Sequence, residues 1–417
     1  MPPSFLDSGP PFQNQFRRSR TPPVEAQLPK TAPISQFEPL NREEEMDRRQ
    51  VLGFAGAAIS VAAFAPARAF ADAAKGSQIA SGGLLIDGNL MPPLDPEAPL
   101  DEEFAALVRS SGLTALKMTL GGSGNLDKAQ TDADIADVGK AIDKNPQLFT
   151  RIRAPSDFVE AKRSGKVGII FSFEAGEMLE GKVDNIDHFR QAGVLVMGLT
   201  YNRETPFGSG VLSRNPTGLT RLGREAVARM NARGVSVDIS HCDEATSLAA
   251  ITASRAPVLV THAGCAAIYK HPRNKSDALL RALAKKGGVV GIYELSFLVP
   301  YPAQPDIADY ISHLDHALKV CGEDHVGIGT DGPLTPFDTS PQSMAAWNAE
   351  IERRKKSGVS APGEGPPPFV IGLNRPDRYS VIADAMAARG YRSRTIEKVL
   401  GENFARVFAE TWKSEPQ

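Results

Sequence analysis

The sequence has few cysteines and almost no net charge, and each of these shortages excludes a class of protein. Three cysteines occur in 417 residues and none forms a Cys-x-x-Cys pair, which excludes a disulfide framework. We expect Cys242 and Cys265 to be small buried residues rather than a functional thiol or disulfide. A formal net charge of −2, from 47 basic and 49 acidic side chains, gives no reason to expect nucleic acid or an anionic membrane as partner.

Long apolar runs are also scarce, and the first 71 residues contain none that is long enough to be a membrane anchor. Residues 1–45 are rich in Pro, Gln, Arg and Glu, so we predict that they are disordered or precede a true start at Met46. Residues 46–71 combine twin arginines, an Ala-rich apolar run and an Ala-x-Ala ending, a pattern typical of a twin-arginine export signal. The run is shorter than the roughly 20 residues of a membrane anchor. Residues 72–417 would form the mature protein, in the periplasm or outside the cell.

The mature part alternates strand-like and helix-like stretches. Eight apolar, β-branched runs predict strands at 84–87, 115–120, 167–174, 194–201, 235–241, 258–262, 289–295 and 326–331. Helical patterns between them lie at 102–110, 133–142, 186–192, 221–233, 244–253, 277–286 and 307–320. This alternation predicts an α/β fold, a (β/α)₈ TIM-type barrel whose active site lies at the carboxyl ends of the strands. An open doubly wound sheet is the alternative, but no Gly-rich phosphate loop follows the first strand.

The chain after the last predicted strand has a different character. Residues 335–375 are loop-rich and contain a run of glycine and proline, so we expect an insertion above the barrel mouth, either a lid or a mobile surface loop. Two helices, at 379–389 and 393–408, are predicted to follow and to pack on the barrel exterior.

Two of the predicted strands end in histidine. His241 and His262 have twenty residues between them, enough for one helix and two tight loops, so both imidazoles would reach the same edge of a parallel sheet. Glu174 ends the third strand, and one carboxylate with two imidazoles is a ligand set that suits Zn²⁺. Asp331 and Tyr201 end two further strands, and Asp331 could take a proton from a metal-activated water. The alternatives are hydrogen-bonded histidines at strand ends and carboxylates that cap helices.

The loop after the sixth strand carries Arg273 and Asn274. A guanidinium at this place could bind a substrate carboxylate with two hydrogen bonds, whereas the alternative is a surface arginine. Five further histidines show no metal-ligand pattern and are interpreted as solvent or packing residues: His188, His271, His313, His316 and His325.

Several of these stretches resemble the membrane (renal) dipeptidase family, zinc peptidases with an amidohydrolase-like barrel. The resemblance extends over most of the mature chain and is most specific at 238–241, 261–262, 271–274, 327–331 and the closing Gly-Glu-Asn-x-x-Arg-Val of 401–407. It implies that Glu174 bridges two zinc ions, that His241 and His262 complete the second metal site, that Asp331 is the acid/base and that Arg273 holds the substrate's free carboxylate.

The resemblance fails at two places. The family's first strand carries Asp-Gly-His-x-Asp, whose His and Asp bind the first zinc, but this chain has Asn89 and Met91 at those positions. Asparagine is a poor zinc ligand and methionine a soft one, so we expect one zinc ion and doubt the second. The family's Leu-Thr-His-Asn also changes, to Leu-Thr-Tyr-Asn with Tyr201, whose hydroxyl could still donate to a developing oxyanion.

These observations together predict an exported metal-dependent dipeptidase that hydrolyses the amide of dipeptides or dipeptide-like compounds with zinc-activated water. Two alternatives stay open: a non-peptidase enzyme that tailors a peptide-derived metabolite, and an inactive barrel that binds a carboxylate. The expected partners are a small dipeptide-like substrate and the twin-arginine export machinery. No nucleic acid is expected, and a homodimer is left open.

Overall fold

Eight parallel strands form a closed barrel. The structure is a computed structural model that describes residues 76–80, 82–122 and 126–412. Its barrel strands are β1 (Ile86–Asp87), β2 (Ala115–Thr119), β3 (Val167–Phe173), β4 (Val194–Gly198), β5 (Ser236–Asp238), β6 (Leu259–Ala263), β7 (Val289–Ile292) and β8 (Val326–Ile328). Each strand pairs with its neighbours in the chain, and β1 also pairs with β8, which closes the ring. The predicted (β/α)₈ barrel is confirmed, and the open sheet is wrong.

The eight strands are the eight that the sequence predicts, although most end earlier. The residues beyond their carboxyl ends leave the ladder and turn toward the mouth of the barrel. All seven residues of β3 are buried, as expected for a parallel strand covered on both faces. A three-residue strand, Phe149–Arg151, pairs with the start of β3 outside the ring, and Leu90–Met91 pairs with Gly332–Pro333 above it. These short ladders were not predicted, because none of their strands lies in an apolar run as long as those of the barrel strands.

Helices connect the strands and cover the barrel. Between residues 102 and 321 the α-helices are Glu102–Ser110, Lys128–Lys144, Asp157–Ser164, Asn185–Gln191, Arg221–Ala232, Glu244–Ala253, Asp277–Lys285 and Ile307–Cys321. The seven predicted helices are present. The second begins five residues earlier than predicted, because Asp127 caps it in a reciprocal capping box with Gln130. The prediction missed Asp157–Ser164, a short helix that buries only Phe158 and Ala161.

The segment of residues 335–375, here called the mouth segment, contains a helix that the sequence analysis did not predict. Pro341–Ser357 begins after the cap Ser340 and ends at Gly358 in the left-handed conformation. Few apolar residues mark it, since its buried face consists of Trp347, Ile351 and Arg354 between charged residues. This helix accounts for 17 residues of the segment, and residues 335–340 and 358–375 contain no helix.

The C-terminal helices close the opposite end of the barrel. They are Arg378–Ala388, Ser393–Glu397 and Asn403–Thr411, with one π-helical turn at Lys398–Glu402. Phe404, Phe408 and Trp412 stack in series and belong to a cluster with residues near the beginnings of the strands. The carboxyl ends of the strands therefore remain the open end of the barrel.

All described residues belong to one compact unit. The predicted N-terminal extension (1–45) and export signal (46–71) lie outside the described residues. No helix in the described part of the chain is both long and apolar enough to span a bilayer.

Candidate metal centre

Four strand ends meet at one point of the barrel mouth. Glu174 follows β3 directly, His241 follows β5, His262 lies in β6 and Asp331 follows β8. Nε2 of His241 lies 3.2 Å from Glu174 Oε2 and 3.0 Å from His262 Nε2. His262 Nε2 lies 3.8 Å from Asp331 Oδ2. Glu174, His241 and His262 each offer a ligand atom within 4.8 Å of the others, so the structure brings the three predicted ligands together.

The two imidazoles are oriented through their other nitrogen atoms. His241 Nδ1 lies 3.0 Å from Asn202 Oδ1, and His262 Nδ1 lies 3.0 Å from Thr261 Oγ1. The Thr261 hydroxyl donates its single proton to Asp238 Oδ2 at 2.6 Å, so it accepts from His262. This network assigns the protons to both Nδ1 atoms and leaves the Nε2 lone pairs toward Glu174. It explains why Asp238 lies three residues before His241 in the motif.

Burial and neighbouring charges give the group the protonation states that a metal ion requires. Burial lowers the pKa of His241 to about 3 and holds the pKa of His262 well below its ordinary value, so both imidazoles are neutral near pH 7. Burial opposes ionisation of Glu174, but the ammonium charge of Lys117 favours it, and the pKa of this carboxylate is held well below the usual range. A carboxylate and two neutral imidazoles suit a divalent ion such as Zn²⁺.

Asp331 is held beside this group by its backbone and its carboxylate. The residue has φ of 58°, the left-handed region, and its N–H donates to the carbonyl of Asn89 at 2.7 Å. Asn89 Nδ2 in turn donates to Asp331 Oδ1 at 2.7 Å. Burial and the nearby Glu174 raise the pKa of Asp331 to about 7. The turn aims the carboxylate at the imidazoles, and a strained non-glycine conformation of this kind is common in active sites.

The first-strand positions do not present metal ligands. Asn89 Nδ2 donates to Glu174 Oε1 at 2.6 Å, and Asn89 Oδ1 accepts from Lys117 Nζ at 2.8 Å. Met91 lines the cavity next to them. The amide oxygen of Asn89 is thus occupied by an ammonium group, so the first metal site of the family does not fit the residues present.

Tyr201 lies at the boundary between the site and the mouth segment. Its ring stacks on His241 with the centroids 4.1 Å apart, and its hydroxyl accepts from Arg354 Nη2 at 3.2 Å. Arg354 also forms an ion pair with Glu364, whose Oε2 accepts from the N–H of Ala361 at 2.8 Å. Burial raises the pKa of Tyr201, so its phenol remains protonated and able to donate. The mouth segment is therefore attached directly to the site.

The predicted carboxylate-binding pair separates in the structure. Arg273 lines the cavity, is 2% exposed, donates through Nη1 to the Ser240 carbonyl and places Nη2 3.2 Å from His241 Nε2. Asn274 is directed away, because its Nδ2 donates to the carbonyls of Tyr269 and Phe297 at 2.8 and 2.9 Å. The assembled site includes Arg273 and leaves Asn274 as a residue that holds the loop.

The other histidines and the cysteines lie outside the metal group. His188 and His316 pair with Asp132 and Asp277, and His271 Nε2 binds the carbonyl of Pro362 in the mouth segment at 2.7 Å. The remaining two, His313 and His325, each contact backbone groups. All three cysteines are free and buried, which confirms the prediction for Cys242 and Cys265.

Sequence reasoning missed three charged residues of the site. Lys117 is fully buried in the apolar strand β2, and a lysine inside such a strand was the signal that could have identified it. Arg354 and Glu364 come from the mouth segment, where nothing in the local pattern distinguishes them from surface charges.

The comparisons with known proteins agree with this geometry. The family described as "Membrane dipeptidase (Peptidase family M19)" matches residues 114–349. The chain belongs to the membrane dipeptidase family. Membership makes it a hydrolase of the metallodipeptidase type and implies that it works with a metal ion on small peptides.

Individual relatives of the membrane dipeptidase chain are distant. A Klebsiella pneumoniae protein described as "Uncharacterized protein in pqqA 5'region" is 27% identical over 266 residues, which are 61% of this chain and 86% of that protein. An amidohydrolase from Pseudomonas aeruginosa has 27% identity and a TM-score of 0.68, and the match covers 81% of this chain and 99% of that one. A metallopeptidase from Rhodobacter sphaeroides, liganded with a phosphinate mimic of the dipeptide L-Ala-D-Ala, has 19% identity, a TM-score of 0.62 and coverage of 79% and 99%. At that identity the last likeness shows the fold alone.

Proposed function

We propose that this protein is a dipeptidase that uses one zinc ion held by Glu174, His241 and His262. The observation that carries the proposal is the convergence of a carboxylate and two Nε2 lone pairs in a buried site, with both Nδ1 protons bound to fixed acceptors. Zinc favours this combination of ligands and leaves coordination positions open in catalytic sites. When bound, the ion would supply Lewis-acid chemistry that polarises the scissile carbonyl and makes water a stronger nucleophile.

The proton transfer is assigned to Asp331. Its Oδ2 lies 3.8 Å from His262 Nε2, and Asn89 fixes its other oxygen, so one carboxylate oxygen faces the reacting region. From that position Asp331 takes a proton from the attacking water and gives one to the leaving amine. Tyr201, with its hydroxyl at the opposite side of the mouth, donates to the oxyanion that develops on the carbonyl.

Substrate recognition is assigned to Arg273 and to the apolar wall of the cavity. The buried guanidinium of Arg273 is suited to a carboxylate, and a dipeptide carries one at its C-terminus. The remaining wall is largely apolar and is formed by Leu90, Met91, Leu295, Phe297, Trp347 and Pro366. This lining favours a dipeptide, or a dipeptide-like compound, with an apolar side chain.

Export through the twin-arginine machinery is part of the proposal and is supported by the sequence of residues 46–71 alone. The test is fractionation of cells that produce the full chain, with and without the double substitution Arg48→Lys and Arg49→Lys. We expect wild type outside the cytoplasm and the variant inside it. Equal distribution of the two proteins would contradict export by this route.

The metal assignment is tested with the variant His241→Ala. We expect wild-type protein to contain zinc by elemental analysis and to release amino acids from a dipeptide panel. The variant should lose both bound zinc and turnover, because a three-ligand site loses one of its two imidazoles. The matched control is His325→Ala, which removes a histidine bound to the Gly288 carbonyl outside the site and should change neither measurement. Turnover at the wild-type rate in His241→Ala would show that the assignment of the metal ligands is wrong.

The loss of ligands at the first-strand positions favours one rival, a barrel that binds a carboxylated compound without hydrolysing it. Both polar atoms of Asn89 are already engaged, so the site has fewer positions for chemistry than a two-metal centre. Calorimetric titration with a dipeptide, followed by analysis of the recovered ligand, separates the two functions. Binding with intact ligand would support the rival, and recovery of free amino acids would exclude it.

A further inference from the structure

The side of the metal centre that faces β1 and β2 is filled with hydrogen-bond donors. Glu174 Oε1 accepts from Asn89 Nδ2 at 2.6 Å and from Thr119 Oγ1 at 2.8 Å. Its other oxygen, Oε2, faces His241 at 3.2 Å. The two oxygens of one carboxylate thus have different surroundings: Oε2 faces the imidazole of His241, whereas Oε1 accepts from two donors and lies 4.0 Å from His262 Nε2.

A buried lysine lies behind these donors. Lys117 has no exposed side-chain surface, and its Nζ lies 2.8 Å from Asn89 Oδ1, 3.3 Å from Thr119 Oγ1 and 3.9 Å from Glu174 Oε1. Lys117 and Thr119 are two residues apart in β2, so both side chains point into the barrel. Burying an ammonium group is costly unless anions and acceptors surround it, and here Glu174 lies close enough to pair with it.

We infer that the ammonium group of Lys117, together with Asn89, occupies the position beside Glu174 Oε1 that a second metal ion would need. The inference rests on the proposed function, because it assumes a metal ion at the three-ligand site.

Two physical reasons support this substitution of an ammonium for a metal ion. A metal ion needs lone pairs directed at it, whereas the side chains on this side direct N–H and O–H protons toward Glu174. A second divalent ion would also be repelled by an ammonium that lies on the same side of the carboxylate. Lys117 already supplies positive charge beside Glu174 and Asp331. This explains how the chain retains both carboxylates although the metal ligands of the first strand are missing.

The test counts zinc ions per full-length chain by elemental analysis after dialysis against excess zinc. Wild type should hold one ion. The double substitution Asn89→His with Met91→Asp restores the family's ligand types and should still hold one, because Lys117 remains. Addition of Lys117→Met to that pair should raise the count to two. The matched control adds Lys275→Met instead, which removes another buried lysine, one that donates to the carbonyls of Ile239 and Cys242, and should leave the count at one.

Two results would overturn the inference: two zinc ions in wild type or in the double variant, or one zinc ion in the folded triple variant. If the triple variant does not fold, the zinc affinity of the single variant Lys117→Gln tests the inference instead. Without the ammonium charge, the three-ligand site should hold zinc at least about tenfold more tightly in competition with a chelator. The control Lys182→Gln removes an exposed lysine and should have no effect. Unchanged or weaker zinc binding in Lys117→Gln would exclude the role of Lys117.

These measurements separate the inference from the proposed function. One zinc ion without dipeptide turnover would leave the role of Lys117 intact and contradict the dipeptidase assignment. Two zinc ions with turnover would contradict the role of Lys117 and the count of one zinc ion, and would support the dipeptidase activity.

Discussion

At the scale of single residues, the hydroxyl of Thr261 decides which nitrogen of His262 is available for a metal ion. It donates to Asp238 and therefore accepts the Nδ1 proton of His262. Residues that orient metal ligands in this way usually affect metal affinity strongly although they do not touch the ion.

We expect Thr261→Val, which keeps the shape of the side chain, to lower zinc affinity by about 10- to 100-fold. The measurement is competition for zinc against a chelator of known affinity. The control Thr252→Val removes an exposed hydroxyl that bonds its own helix through the Leu248 carbonyl, and it should leave the affinity unchanged. Equal affinities of the two variants would mean that His262 is oriented by another contact.

At the scale of elements, the mouth segment of residues 335–375 forms part of the site. Its helix Pro341–Ser357 places Arg354 against Tyr201 and Glu364, and Trp347 of the same helix lines the cavity. His271 and Asn202 bond the segment from the barrel side, through the carbonyls of Pro362 and Val359. The segment therefore borders the cavity and is bonded to the barrel at several points.

Arg354→Met should loosen this element, because it leaves the partly buried carboxylate of Glu364 without its cation. We expect KM for a dipeptide to rise roughly five- to tenfold. Protease cleavage within the mouth segment should also be faster, since local opening becomes easier.

The control for that variant is Arg353→Met on the same helix. Arg353 is exposed and pairs with Glu350 one turn away, so its loss should change neither KM nor the cleavage rate. If Arg353→Met and Arg354→Met behaved alike, the attachment of the segment to Tyr201 would have no role in substrate binding.

At the scale of the whole molecule, buried acids make stability depend on pH. Burial raises the pKa of Glu294 to about 7, of Glu177 to about 7 and of Asp87 to about 6. Glu294 is fully buried, its Oε2 pairs with Arg378 at 3.3 Å, and its Oε1 has no hydrogen-bond partner among the described residues. A raised pKa means that the folded state binds the proton more tightly than the unfolded state does.

The stabilisation from Glu294 is therefore complete below the unfolded pKa of about 4.5 and is lost as the pH rises through about 7. We expect Glu294→Gln, which cannot ionise, to lose less Tm than wild type between pH 5 and pH 8. Thermal unfolding across this range is the measurement, and Glu103→Gln on the exposed face of Glu102–Ser110 is the control. A variant with the wild-type slope would show that Glu294 does not titrate in this range.

The periodic pattern of the chain was sufficient to predict the barrel and the convergence of three side chains that could hold a metal ion. Parallel strands must present their carboxyl ends at one edge, so Glu174, His241 and His262 could be placed together from strand order alone. The short strand Phe149–Arg151 and the helix Pro341–Ser357 were missed, since one is too short and the other too polar to produce a readable period.

Contacts between segments that are distant in the chain could not be predicted from the periodic pattern of the sequence. Lys117 meets Asn89 across 28 positions, and Arg354 meets Tyr201 across 153, through packing that local sequence does not encode. Asn274 turns from the cavity because the Tyr269 and Phe297 carbonyls need its amide. Local propensity thus placed the ligands on their strands. The tertiary structure decided which charges surround them, because burial and Coulomb interactions depend on distances that only the folded chain has.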